Sequence, residues 1–159
     1  MLRIALAVVA VLALLLAGRF AYMSMTTRPP DDLLAASGRL APCPESPNCV
    51  SSLAEDKNHQ IAPLAVHGTA DAALERVIQT IEAMTRARIV TSGEGYLHAE
   101  FSSRLFRFVD DLELLYDDNV PGFQVRSASR AGYSDMGANR KRVEALRAGL
   151  TAAVDVTVE

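Results

Sequence analysis

The chain has 159 residues, half of them apolar, and a formal net charge of −3. Residues 29–159 hold 13 basic against 19 acidic side chains, a net −6. That balance excludes a general nucleic-acid binder, which needs many cationic phosphate contacts, and disfavours broad adsorption to anionic lipid.

The first segment carries no acidic residue before Asp31, and its stretch "IALAVVAVLALLLAG" at 4–18 is uncharged. It follows Arg3 as an apolar h-region follows a positive n-region in a secretory signal. No A-x-A cleavage site follows, and no cysteine comes after "LLLAG", which removes the lipoprotein reading. The apolar character resumes after Arg19 with "FAYM". Residues 4–23 therefore span a bilayer if Arg19 snorkels to the headgroups. We assign residues 1–23 to a membrane anchor or signal segment, with the uncleaved anchor the better fit. The rest is expected on the exported, periplasmic or equivalent, side. Residues 24–42, with Pro29 and Pro30, read as a tether, and 43–159 as a single domain.

The only cysteines, Cys43 and Cys49, enclose "PESPN". Zinc sites favour two to four intervening residues and further Cys or His ligands. Redox dithiols favour C-x-x-C. Neither spacing is present. An exported chain with an even cysteine count permits a disulfide, and Pro44 and Pro47 favour the bend of a small loop. A disulfide that pins the start of the domain is the expected state.

Residues 61–66, "IAPLAV", read as an extended edge segment because of Pro63. "GTADAALERVIQTIEAM", 68–84, reads as a helix capped by Thr69, with Asp71 in its first turn. Its apolar stripe is Leu74, Val77, Ile78, Ile81 and Met84. The period then changes to two. "RIVT" precedes the turn "SGEG", and "YLHAEF" places Tyr96, His98 and Glu100 opposite Leu97, Ala99 and Phe101. "RLFRFV" and "DLELLY" alternate likewise. "DDNVPG" is a turn and "FQVRSASR" a further strand. With Tyr116 facing Phe123, Leu114 lies opposite Val125 and Glu113 opposite Arg126, a favourable cross-strand charge pair. Met136, Val143, Leu146 and Leu150 mark a last helix over about 136–150, and "VDVTV" reads equally as a strand or a frayed end. The pattern predicts an α+β domain: an antiparallel sheet of four to five strands, covered on one face by two helices.

Two stretches, "PCPESPNCVSS" and "FRFVDDLELLYD" with "QVRSASRAGYSDMGANRKRVEALR", resemble the signatures of the domain-of-unknown-function 1499 family, in the same order and over about Leu40–Arg147. The one departure is Val109, where proline is expected. The resemblance implies a bacterial or photosynthetic-eukaryote family, often behind a membrane segment, and no reaction.

Besides the cysteines, three groups of residues can carry chemistry. Asp111 and Glu113 share a strand face and suit a general base, but Arg126 and Arg130 share a face too, and cross-strand pairing accounts for both sets. Asp110 lies on the other face. Ser134 or Asp135 can cap the last helix, where Asn139, Arg140, Lys141 and Arg142 crowd the first turns against the dipole. Their company is either the carboxylates at 110–113 or an anion. We therefore nominate Arg126, Arg130, Asn139 and Arg140 as a phosphate or carboxylate site. His98 lacks a second histidine at ligand spacing. No nucleophile elbow, P-loop or dinucleotide fingerprint occurs, and no pattern calls for a metal or cofactor.

The leading expectation is a membrane-tethered, exported binding or accessory domain. Its partners would be the membrane through residues 4–23 and an anionic or lipid-like ligand or an envelope protein. The alternative is a small envelope hydrolase or isomerase with Asp111 or Glu113 as base and Arg126 with Arg140 as clamp. Carriage of an apolar ligand between sheet and helix is the third.

Overall fold

The computed structural model describes residues 2–26, 30, 33–34, 38–105, 107–120 and 122–155. The tether and the end of "VDVTV" lie partly outside these residues.

Helix α1 (Leu2–Thr26) has no polar stripe, and Leu2–Tyr22 is long and apolar enough to cross a membrane. Its side chains are exposed along most of its length, with Ala17 and Ala21 partly covered. The ring of Phe20 meets that of Phe108 edge-on, with centroids 6.1 Å apart.

The domain is one antiparallel sheet with two helices on one face, as the α+β pattern predicts. Among the described residues it has six strands: β1 (Cys49–Ser51), β2 (Leu64–Ala65), β3 (Ala87–Gly93), β4 (Tyr96–Ser102), β5 (Val109–Asp117) and β6 (Gly122–Ser129). The order is β1-β6-β5-β4-β3, and β2 also pairs with the outer edge of β6. The β3–β4 hairpin turns on Glu94 and Gly95, both at positive φ, as a two-residue connection requires. The β5–β6 hairpin has the predicted register, with Glu113 opposite Arg126, Leu114 opposite Val125 and Tyr116 opposite Phe123. Gly122 opens β6 at φ +145°, and a Cβ there would collide with the Leu64 carbonyl oxygen. Only glycine lets β2 approach this closely.

Helix α2 (Ala70–Glu82) is capped by Thr69, whose hydroxyl accepts from the Ala72 amide. Helix α3 (Ala138–Asp155) presents Asn139, Val143, Leu146 and Leu150 to the sheet. Between these helices and the sheet lie Val77, Ile81, Leu97, Leu112, Leu114, Phe123 and Val125, all fully buried. This layer is the main core.

Two expectations are corrected. The described residues of "RLFRFV" before Val109 lie outside any strand: the Ser103 amide donates to the Phe108 carbonyl, the Phe108 amide donates to Ser103 Oγ, and Arg107 sits at φ +57°. That closure takes the segment out of the ladder. Met136 lies before the last helix rather than on its stripe. It and Gly137 have positive φ, and Asp135 accepts from the Gly137 and Asn139 amides, so the helix begins at Ala138.

Candidate functional site

Alternation along the strands sends Leu97, Ala99, Leu112, Leu114 and Val125 to the helix side, and Tyr96, His98, Glu100, Asp111, Glu113 and Arg126 to the other. Glu113 is 0% exposed. Arg126 Nη1 donates to its Oε2 at 2.9 Å, and the Tyr96 hydroxyl donates to its Oε1 at 3.0 Å. Burial pushes the Glu113 carboxyl above its usual range despite both partners. Burial, with Glu113 alongside, also raises the Tyr96 phenol. Asp111 is buried beside it. His98 Nε2 lies 2.7 Å from its Oδ1, and Arg130 donates from Nε and Nη2 at 2.8 and 2.6 Å. Burial raises this carboxyl, but the hydrogen bonds from His98 and Arg130 outweigh it and hold the group low. Arg130 also donates to Glu100, which Arg88 reaches from the edge strand. Arg126 Nε is buried without a hydrogen-bond partner among the described residues. The two candidate bases are thus ion-paired and sealed, as the cross-strand charge pattern suggests.

A second cluster joins the two motif stretches. Asn139 is 0% exposed. Its Nδ2 donates to the Asn48 carbonyl at 2.9 Å and to Ser129 Oγ at 3.0 Å, and Ser127 Oγ donates to its Oδ1 at 2.7 Å. Asn48 Nδ2 in turn donates to the Gly132 carbonyl at 2.7 Å. Asn48 belongs to the loop closed by the Cys43–Cys49 disulfide, whose Cα atoms are 5.7 Å apart. The staple therefore braces the strand that supports the loop before α3.

Beside this clasp opens a cleft of about 420 Å³ at the start of α3. Its cations are Arg86, Arg104, Lys141 and Arg142, and among the described residues Asp110 is its one acidic lining residue. Arg142 stacks 4.7 Å from the Phe101 ring centroid and donates to Asp110 and to Ser127. Arg86 Nε donates to the Ser102 carbonyl. Arg104 and Lys141 have no carboxylate partner among the described residues. Three of the four non-glycine residues at positive φ, Arg86, Arg107 and Met136, flank this end of the sheet. Such costly backbone persists where its surroundings over-determine it.

The four residues nominated for an anion site do not converge. Arg126 and Arg130 lie on the helix-free face, and Asn139 is enclosed between α3 and the sheet. Arg140 donates to the Asn58 carbonyl and lines a separate shallow cleft with Glu144. Of the cations crowded at the helix start, Lys141 and Arg142 are the ones that line this cleft. Their companions Arg86 and Arg104 come from turns that sequence spacing does not connect to α3. Asn48 is a further residue of the clasp, and the "SPN" of the cysteine loop is its only mark in the sequence.

A family model described as "Protein of unknown function (DUF1499)" matches residues 39–150. No curated protein and no solved structure matches the chain.

Proposed function

The chain belongs to the DUF1499 family, and from that premise we propose that it is a membrane-tethered binding module, with its domain on the exported side, that takes an anionic group at the start of α3. The observation that carries this reading is the cleft lined by Arg86, Arg104, Lys141 and Arg142 with Asp110 as its one acid. A phosphate or carboxylate there meets guanidinium donors of matching geometry and the positive end of a helix. Unmatched cations facing a helix N-terminus are unfavourable, and a bound anion reverses that sign. An N-terminal helix long and apolar enough to cross a membrane and a disulfide of the kind exported domains keep support a domain held at one membrane surface.

The test uses the full chain in mild detergent, titrated with inorganic phosphate and with glycerol 3-phosphate by calorimetry. Saturable binding is expected, and it should be lost in an Arg104→Gln/Lys141→Gln variant whose circular dichroism is unchanged. Equal heats for variant and parent would sink the reading. Export is tested by a reporter fused after Glu159. Activity confined to the cytoplasm would overturn that part.

The hydrolase or isomerase alternative has one observation in its favour, the raised Glu113 carboxyl beside the unpartnered Nε of Arg126. It ranks second because Glu113 is sealed and Arg140, the other half of its clamp, bonds Asn58 instead.

A further inference from the structure

We propose that the end of the domain bearing this cleft lies flat on the bilayer crossed by α1, with the cleft seated on anionic lipid headgroups. This deepens the anion-binding reading and rests on it.

Three observations converge. The first is position. Phe20 lies inside the apolar span Leu2–Tyr22, yet its ring contacts Phe108 of the β4–β5 loop, and Ala17 and Ala21 are partly covered. A loop that touches a residue inside the span is at the depth of the membrane interface. The second is composition. Leu105, in the same loop, is 78% exposed, while Tyr133 and Met136, in the loop before α3, are 78% and 90% exposed. The two loops adjoin, since the Arg130 amide donates to the Val109 carbonyl. Exposed large apolar groups gathered at one end mark an interaction surface, and tyrosine is favoured at the membrane–water boundary.

The third is charge. Arg104 precedes Leu105 and Arg107 precedes Phe108 in the chain, and Arg104 lines the cleft with Lys141. The domain as a whole is acidic, so an anionic surface repels it except at this end. That asymmetry orients the domain, and headgroup phosphates supply the counter-charge that Arg104 and Lys141 lack among the described residues.

The native cysteines are paired, so a single added cysteine can be labelled. Full chains with Leu105→Cys, Met136→Cys or, in the β5–β6 turn at the opposite end, Asn119→Cys are labelled with an environment-sensitive fluorophore. They are reconstituted into phosphatidylcholine vesicles with or without phosphatidylglycerol and a headgroup-depth lipid quencher. The probes at 105 and 136 should be quenched roughly threefold more than the probe at 119 in anionic vesicles, and adding Arg104→Gln/Lys141→Gln should remove the difference. Equal quenching at all three positions overturns the docking, and phosphate binding by the same chain in detergent would then leave the cleft reading standing. Quenching that ignores both the charge substitutions and the lipid composition overturns the headgroup part, as does phosphate binding without anionic-lipid dependence. A membrane-extracted chain whose mass lacks the first 22 residues overturns the geometry altogether.

Discussion

The side-chain amide of Asn139 donates to the backbone carbonyl of Asn48 across 91 residues of sequence. One hydrogen bond thereby joins the disulfide loop to the first turn of the last helix, whose Ala138, Lys141 and Arg142 line the cleft. Asn139 has no solvent to fall back on, and its carbonyl and amide both have protein partners.

Replacing Asn139 with alanine removes its bond to the Asn48 carbonyl and leaves the Ser127 hydroxyl hydrogen without its acceptor in a buried site. We expect a loss of about 2–4 kcal/mol in urea unfolding, since buried networks lose more than one bond when a member is removed. A loss below about 0.5 kcal/mol would mean that the clasp is ornamental.

The disulfide closes a loop of sequence separation 6. Loop-closure entropy for so short a ring amounts to about 2 kcal/mol. A Cys43→Ser/Cys49→Ser chain should lose about that much in the same assay. Because the loop braces Gly132 through Asn48, amide exchange should rise in residues 130–137 before it rises in β4 or β5.

Glu113 and Arg126 form a buried pair. Removing one partner leaves an uncompensated charge, so Glu113→Ala should cost about 3–5 kcal/mol. The double variant Glu113→Leu/Arg126→Met should recover most of that loss. A double variant as unstable as the single would show that the pair specifies the fold rather than merely satisfying itself.

The pH dependence has two opposed arms. Asp111 is held below its usual 3.8 and Glu100 below its usual 4.5. The stability they contribute is present above those unfolded values and is lost as pH falls through the lower folded ones. Glu113 is raised above its usual 4.5, so its contribution is greatest below that value and declines as pH rises through the folded one. The urea midpoint should fall on the acid side of about pH 4, and Asp111→Asn should flatten that limb. Glu113→Gln should remove the decline on the neutral side. An Asp111→Asn chain with an unchanged acid limb would show that other carboxylates carry it.

Period and turn chemistry by themselves determine much of this protein. The apolar leader, the capped amphipathic helix and the β5–β6 register follow from local spacing. Alternation fixes which face each side chain meets, and the turn of Asp, Asn and Gly leaves one pairing that matches Glu113 with Arg126. Cys43 and Cys49 are legible as a disulfide because so short a loop leaves few other uses.

Tertiary structure decides the rest. β1 is three residues long and gains its identity only by pairing with β6. "RLFRFV" alternates like a strand, but hydrogen bonds between Ser103 and Phe108 close it into a loop. Met136 reads as helix stripe until the Asp135 cap starts the helix two residues later. The candidate cleft draws Arg86, Arg104 and Lys141 from three separate segments. Each local pattern has its own period, and none carries the distance between segments. That distance is set only when the sheet and both helices close on one core.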